Sequence, residues 1–362
     1  MKILYLGDDY PHSTSGHRAA ALRRLGHEVV ALNPRMIIPW PRIVGGISTR
    51  FGLWPFAPLI YATLRSKIGK SSFDLAWVDG GSELAPGFHR WLRHRGMKIV
   101  NYNVDDPFGD RDGRKWDLYR AALPYHDLTV VVRNENVEEA RSLGARKVLH
   151  VFRSYDPVAH APLVMNEEVR RRWASEVVFV GSWMPERGPF MARLLELGVL
   201  LTIIGDHWPK AVEWDRLKGA VRGQAAYGAD YVHAIQASKV ALGLLSIGNR
   251  DLHTQRSAEI PFIGGAVFCA QRTTEHEAMF HHHEQAVLWS TADECAIACH
   301  ELLADETLRG AIAKNARRRI EELGLSNDRI CSGVLDRVAA PVKGHASLCE
   351  FPLFTGKATE CV

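Results

Sequence analysis

Short apolar runs rich in Val, Ile and Leu alternate along this chain with longer segments whose apolar positions recur every three to four residues. The first kind reads as buried strand and the second as amphipathic helix. In order, "KILYLG", "HEVVALN", "FDLAWVDGG", "KIVNYNVDD", "DLTVVVRN" and "KVLHVF" are strand-like. Between them lie the helical "HRAAALRRLG", "GFHRWLRHRG", "KWDLYRAAL" and "ENVEEARSLGA". A polar connector, "RSYDPVAHAPLVMNEEVRRRWAS", interrupts this rhythm, which restarts with "EVVFVG" and continues through "LLTIIGD", "AVRG", "VALGLL", "AVFCA" and "QAVLWS". Helices are expected at "GPFMARLLELG", "AVEWDRLKG", "YVHAIQASK" and "TTEHEAMFHHH", then from Ala292 and Thr307.

Strands alternating with helices predict a parallel sheet covered on both faces. Two such series predict an α/β chain of two doubly wound, Rossmann-like domains, with ligands in a cleft between them. The connector puts the boundary near residues 155 to 170, dividing the chain into 1–160 and 161–340. The tail 341–362 has no clear period and either packs back on the first domain or moves freely.

Composition narrows this little. The 362 residues are enough for two cores, and 46% hydrophobic with 24% charged residues fits a soluble globular chain. A net charge of +4 favours an anionic ligand or surface mildly and argues against a nucleic-acid partner. "FGLWPFAPLIYATL", from Phe51 to Leu64, is broken by prolines and too short for a membrane span. It is expected as a core helix, with peripheral membrane contact as the alternative. The six cysteines (Cys269, Cys295, Cys299, Cys331, Cys349, Cys361) form no CxxC pair, and the N-terminus shows no signal-peptide pattern. Both point to a cytoplasmic setting. Oligomeric state leaves no mark on the pattern.

In open parallel sheets, ligands meet the loops at the carboxyl ends of the strands. After the first strand, Ser15 and Gly16 precede a helix whose free N–H groups could face an anion; an ordinary helix start fits as well. In "NYNVDDPFGD", Asp105 or Asp106 could orient or deprotonate an acceptor hydroxyl, or could serve the turn before Pro107. In "VGSWMPERG", Gly181 ends a buried strand and Arg187 stands at a helix entrance, where a cation and the helix dipole could hold a diphosphate. Gly205 closes the following strand.

The densest candidate is "NRDLHTQRSAEIPFIGG", from Asn249 to Gly265. A helix starting near His253 or Thr254 would aim backbone N–H groups, with Thr254 and Arg256, at one anionic site. Asp251 and Glu259, eight apart, could share one side of that element. Carboxylates beside a phosphate site suit sugar hydroxyls. An N-cap at Asp251 on a solvated face is the competing reading. His281 to His283 lack a carboxylate at metal-binding spacing and, as helix neighbours, would point apart. Cys295 and Cys299 read as a packed apolar pair.

On these residues the chain resembles the GT-B glycosyltransferases, and among them the CgeB-type (spore-maturation protein) family. The likeness covers nearly all of the second half and more loosely the first. "VGSWMPERG" keeps that family's spacing, with Arg187 where a diphosphate-binding Lys is usual and Ser182 in place of an Arg, whose contact Arg250 or Arg256 would supply. "DLHTQRSAEIPFIGG" matches its pair of acids followed by a Gly turn. The resemblance implies that Glu259 binds ribose hydroxyls, that Asp251 approaches the donor sugar, and that Asn249, Arg250, His253, Thr254, Arg256, Ser257 and Gly264 line the donor site. Arg222 and Gly223 would precede a loop near the base, with Gly181, Gly205 and Arg187 completing the site. Ser15 and Gly16 would lie on the acceptor side.

The implied activity is transfer of a sugar from a nucleoside diphosphate sugar, used as substrate, to a glycan, lipid-linked or small-molecule acceptor. No metal or other cofactor is expected, and the configuration is expected to be retained. A nucleotide-sugar epimerase or hydrolase on the same fold, or a non-catalytic nucleotide-sugar-binding protein, remains the alternative.

Overall fold

A computed structural model of the chain describes residues 1–37 and 49–339. The chain divides into two compact units. The first holds Met1–Phe152, Gly248–Arg250 and the described residues from Asn327 on; the second holds Arg153–Ile247 and Asp251–Ser326.

The first unit is built on a six-stranded parallel sheet in the order β2-β1-β3-β4-β5-β6. Its strands are β1 Lys2–Leu6, β2 Glu28–Leu32, β3 Leu75–Asp79, β4 Lys98–Asn103, β5 Leu128–Val131 and β6 Val148–His150. β1, β3, β4 and β5 are buried along nearly their whole length, so they read as unbroken apolar runs. Helix Ala57–Ile68, in the long apolar stretch, turns Ala57, Ile60, Leu64 and Ile68 into the core with Phe88 and Leu92. That is the expected core helix, though Leu59 stays exposed. Helix Asn327–Ala339 also belongs here. Its Asp328 accepts two bonds from Arg24 at 2.9 and 2.7 Å, and the carbonyl of Val338 accepts from Lys98.

The second unit repeats the plan in the order β12-β11-β10-β7-β8-β9, again all parallel. Its strands are β7 Ser175–Val180, β8 Leu201–Ile204, β9 Val221–Gly223, β10 Ser238–Gly243, β11 Val267–Gln271 and β12 Val287–Trp289. Phe179, Met191, Trp208, Leu242, Leu302 and Ile312 are part of its core.

Every strand expected from the pattern is present. The boundaries differ: the first unit ends at Phe152, not 160, and Asn327–Ala339 returns to it instead of closing the second. The tail 341–362 lies outside the described residues. The connector also carries a helix, Glu167–Trp173, capped by the Asn166 side chain. "TTEHEAMFHHH" is helical only over Thr274–Met279. His281 to His283 therefore lie beyond the helix, where the His282 Nδ1 accepts from the Leu288 N–H and His283 takes φ +63°.

Candidate functional site

In each sheet the strand order reverses beside the unit's first strand: between β1 and β3 in one, between β7 and β10 in the other. The loops leaving such a pair diverge and open a crevice, the usual ligand position in open parallel sheets.

In the second unit Arg187 occupies this point. It is the first residue of helix Arg187–Glu196 and is buried. Its guanidinium donates to the Ser182 carbonyl, after β7, at 2.8 Å and to the Leu245 carbonyl, after β10, at 3.1 Å. The two diverging loops are thus tied by one planar cation, which is already engaged before any phosphate arrives. Gly181 and Gly205 make a close approach: a Cβ on Gly205 would lie 2.0 Å from the Gly181 carbonyl oxygen, which also accepts from Trp208 Nε1 at 3.0 Å.

Helix Arg256–Ile263 carries the next group. It starts at Arg256, two or three residues later than expected, and the N–H groups of Ser257, Ala258 and Glu259 are taken by the Thr254 and Gln255 carbonyls. Three of the N–H groups expected to face an anion are therefore already engaged at this helix start. A side-chain cluster stands there instead. Glu259 is 2% exposed. Its Oε2 accepts from the Tyr231 hydroxyl at 2.8 Å and from Arg256. The Arg256 guanidinium lies 4.4 Å over the Tyr231 ring and donates to the Val180 carbonyl at the end of β7. On the other side, the Asp156 N–H donates to His160 Nδ1, leaving the ring proton on Nε2, 3.4 Å from Glu259 Oε1. Burial alone would raise the Glu259 pKa, but His160, Arg256 and the Tyr231 hydroxyl outweigh it and hold the carboxyl below its usual value. Arg256, with a side chain 32% exposed, still reaches solvent.

Asp251 and Glu259 do not share a helix face, because Asp251 lies five residues ahead of the helix. It is buried against Arg153, whose Nη2 donates to Oδ1 at 3.1 Å. His253 is buried with both ring nitrogens engaged: Nε2 accepts the Arg153 N–H at 2.8 Å, and Nδ1 therefore donates to Glu275. Ser257 bonds His276 Nε2 at 2.8 Å and accepts from the Thr254 N–H. The side chains of His253 and Ser257 and the backbone of Thr254 thus build the loop. Gly264 ends the helix at φ +73°, as a turn residue should.

Asn249 and Arg250 belong to the first unit. Arg250 takes φ +52° and donates from Nε and Nη2 to Asp106 at 2.5 and 2.8 Å, and from Nη1 to Glu139 at 2.8 Å. The Asn249 carbonyl accepts from Arg133. Asp106 also accepts the Phe108 and Gly109 N–H groups and Asn136. Burial pushes the Asp106 pKa up, but Arg250 and these donors bring it below its usual value. Asp106 and Arg250, expected as a base and a phosphate contact, are thus engaged with each other and Arg250 also with Glu139. Asp105, half-buried, remains the acid of that loop open to an acceptor role.

The first-unit crevice also differs from expectation. Helix Thr14–Arg24 begins before Ser15 and Gly16, and its Ser13 cap takes the Gly16 N–H at 2.9 Å. Gly16 is needed there because a Cβ would lie 2.0 Å from the Tyr10 carbonyl. The Ser15 carbonyl lies 2.7 Å from the Tyr5 hydroxyl. The centre of the crevice is Asp79, which receives a two-bond fork from Arg18, both at 2.7 Å, and the Tyr5 hydroxyl at 2.7 Å. Arg18, 1% exposed, stacks on Tyr102. The sequence signal for Asp79 was its place at the end of a buried strand before a Gly pair.

Arg222 stands apart, donating to the Arg172 and Ala174 carbonyls at the chain entering β7, and Gly223 is exposed with open space around it. Cys295 and Cys299 are joined in the core by Cys269 of β11, their sulfurs within 4.8 Å of one another.

Residues 187–330 match a protein family described as "Glycosyl transferase-like". No curated protein matches the chain in sequence. Among solved structures, sucrose-phosphate synthase of Thermosynechococcus elongatus superposes with a TM-score of 0.67 at 14% identity, over 93% of this chain and 98% of that one. Anabaena HepE in complex with UDP-glucose gives 0.64 at 11% identity, over 94% and 99%. A Listeria monocytogenes structure described as a UDP-N-acetylglucosamine 2-epimerase gives 0.60 at 8%, over 93% and 95%. At such identities the likeness speaks for the fold. The chain has a GT-B fold, its residues 187–330 match a glycosyl transferase-like family, and the two findings together support a glycosyltransferase.

Proposed function

We propose that the chain moves a sugar from a nucleoside diphosphate donor to an acceptor hydroxyl of a glycan, lipid-linked or small molecule, without a metal, with retention, and as a protein of CgeB type. What supports this is one observation: an ionised Glu259 and a solvent-reaching Arg256 stand together at the carboxyl end of β7, inside the glycosyl transferase-like segment. Glu259 offers about four lone-pair sites, of which Tyr231, Arg256 and His160 use three, so one is left for a ribose hydroxyl. Arg256 would meet the diphosphate and stabilise the charge that develops as it departs. Asp251, oriented by Arg153, would approach the donor sugar. Because HepE is seen with UDP-glucose, uridine donors come first in any trial.

The test is a thermal-shift panel of UDP-, GDP-, ADP- and dTDP-sugars followed by the Glu259→Gln variant. One nucleotide sugar should raise the melting temperature, and Glu259→Gln should weaken its binding at least about tenfold, the loss of one charged hydrogen bond. No shift with any donor, or unchanged affinity in the variant, would overturn the reading. An epimer formed without acceptor would favour the epimerase alternative.

A further inference from the structure

Helix Arg256–Ile263 carries Arg256 and Glu259 at its start; at its other end, Ile263, Gly264 and Gly265 border a second cavity, of about 680 Å³. This cavity opens where the chain enters β11, at the amino end of the strand. Its volume is in the range of small-ligand sites.

One wall is a single face of helix Glu306–Glu322: Gly310, Ala313, Lys314, Arg317 and Arg318 follow at spacings of three and four, so they stack along one side. The other wall is the connector, with Pro162, Met165 and Arg170. Gln236 fixes that wall by bonding both the Leu163 N–H and its carbonyl, each at 2.9 Å. Four cations therefore line the space against one acid, Glu321, which already accepts from Arg317. Arg318 lies 3.6 Å from Glu322. Arg170 and Lys314 have no acidic partner among the described residues. Helix ends contribute only about half a charge each, too little to balance this excess. The floor is kept low by Gly310, where a Cβ would meet nothing within 4 Å, although a mid-helix Gly costs about 1 kcal/mol against Ala.

We propose that this cavity binds a phosphate-bearing ligand, its phosphate held by Arg170, Lys314 and Arg318 and its organic body lying against Pro162, Met165 and Ile263. Arg forks and a Lys lining one cavity match a compact, multiply charged oxyanion better than a lone carboxylate. The proposal does not rest on the donor reading, because none of its residues belongs to the Arg256–Glu259 group.

The phosphate could come from a soluble phosphoester or from a lipid headgroup. Equilibrium dialysis of the full chain with inorganic phosphate and with glycerol 3-phosphate examines the first source. Co-sedimentation with phosphatidylcholine vesicles, with and without phosphatidylglycerol, examines the second. Three variants are compared: Arg170→Glu with Lys314→Glu, Gly310→Leu, and Arg256→Ala. The first pair is on the surface, and Gly310→Leu fills the floor without changing charge, so melting temperatures should stay near the unsubstituted value. Binding in either arm should fall at least about tenfold in the first variant, as expected for lost charged contacts, and likewise in Gly310→Leu, whose side chain occupies the space, and persist in Arg256→Ala. Loss only in Arg256→Ala, equal binding in all variants, or no binding in either arm would overturn it.

Discussion

The Tyr231 hydroxyl donates to Glu259 Oε2 at 2.8 Å while its ring lies under the Arg256 guanidinium at 4.4 Å. One aromatic side chain therefore fixes both members of the ion pair, by hydrogen bond on one and by stacking on the other. Tyr231→Phe keeps the stacking and removes the donor, which should cost about 1.5–3 kcal/mol of stability for a bond to a charged group. Urea unfolding checks this. Tyr231→Leu should do further harm, since it also uncovers Arg256.

Arg250 and Arg256, six apart in one polar run, should behave differently. Arg250→Ala strips Asp106 of two bonds and should lower stability by about 1–2 kcal/mol, with nucleotide-sugar affinity unchanged. Arg256→Ala should lower that affinity. Calorimetric titration beside a melting curve separates the two effects; equal loss of affinity in both would refute the assignment of Arg250 to Asp106.

Gly205→Ala should be among the most damaging small substitutions. Its Cβ would sit 2.0 Å from the Gly181 carbonyl, which is backbone and cannot swing aside. Overpacking of this kind costs about 1–3 kcal/mol, and the displaced carbonyl would also lose Trp208 Nε1. A melting temperature equal to that of the unsubstituted chain would show that these loops can separate freely.

Acid should destabilise the fold well before its carboxylates titrate. Burial pushes His89 and His276 down to about 4 and His126 downward as well. In the unfolded chain each titrates near 6.5. A histidine whose folded pKa is depressed supports the fold fully above the unfolded value and loses that support as pH falls toward the folded one. Between pH 6.5 and 5 His89 and His276 should therefore each remove about 2 kcal/mol, and His126 acts with the same sign. Urea midpoints at pH 7, 6 and 5 read this directly, and a flat profile would contradict it. Asp106 and Glu259, whose folded pKa values are lowered, have the same sign but act only near and below pH 4, where the unfolded carboxyls begin to protonate.

Most of the twelve strands were legible as apolar runs, because a parallel strand buried on both faces needs an unbroken stretch such as "EVVFV" or "KILYL"; β2 and the short β9, which are not buried in this way, were legible from their place in the strand–helix alternation. Their alternation with helices then leaves few topologies, and the two crevices beside β1 and β7 follow from them. The site was legible only in part. Glu259, Arg256 and Arg187 stood out as charges beside buried turns. His160 was hidden in a segment that reads as linker, and Tyr231 among the apolar positions of a helix, where its buried hydroxyl was the one sign that a partner must exist.

Local periodicity thus determined the strands, the two-part plan and the ends of the sheets where chemistry can sit. Tertiary structure decided which charges meet. Arg250 and Arg256 look alike in sequence, yet one lies against Asp106 and Glu139 and the other against Glu259 and Tyr231. The same holds for the helix after Ser326, which leaves the second unit to close the first through Arg24 and Lys98. An ion pair acts over a few ångströms and between residues that can be more than a hundred positions apart, so no pattern along the chain can carry it.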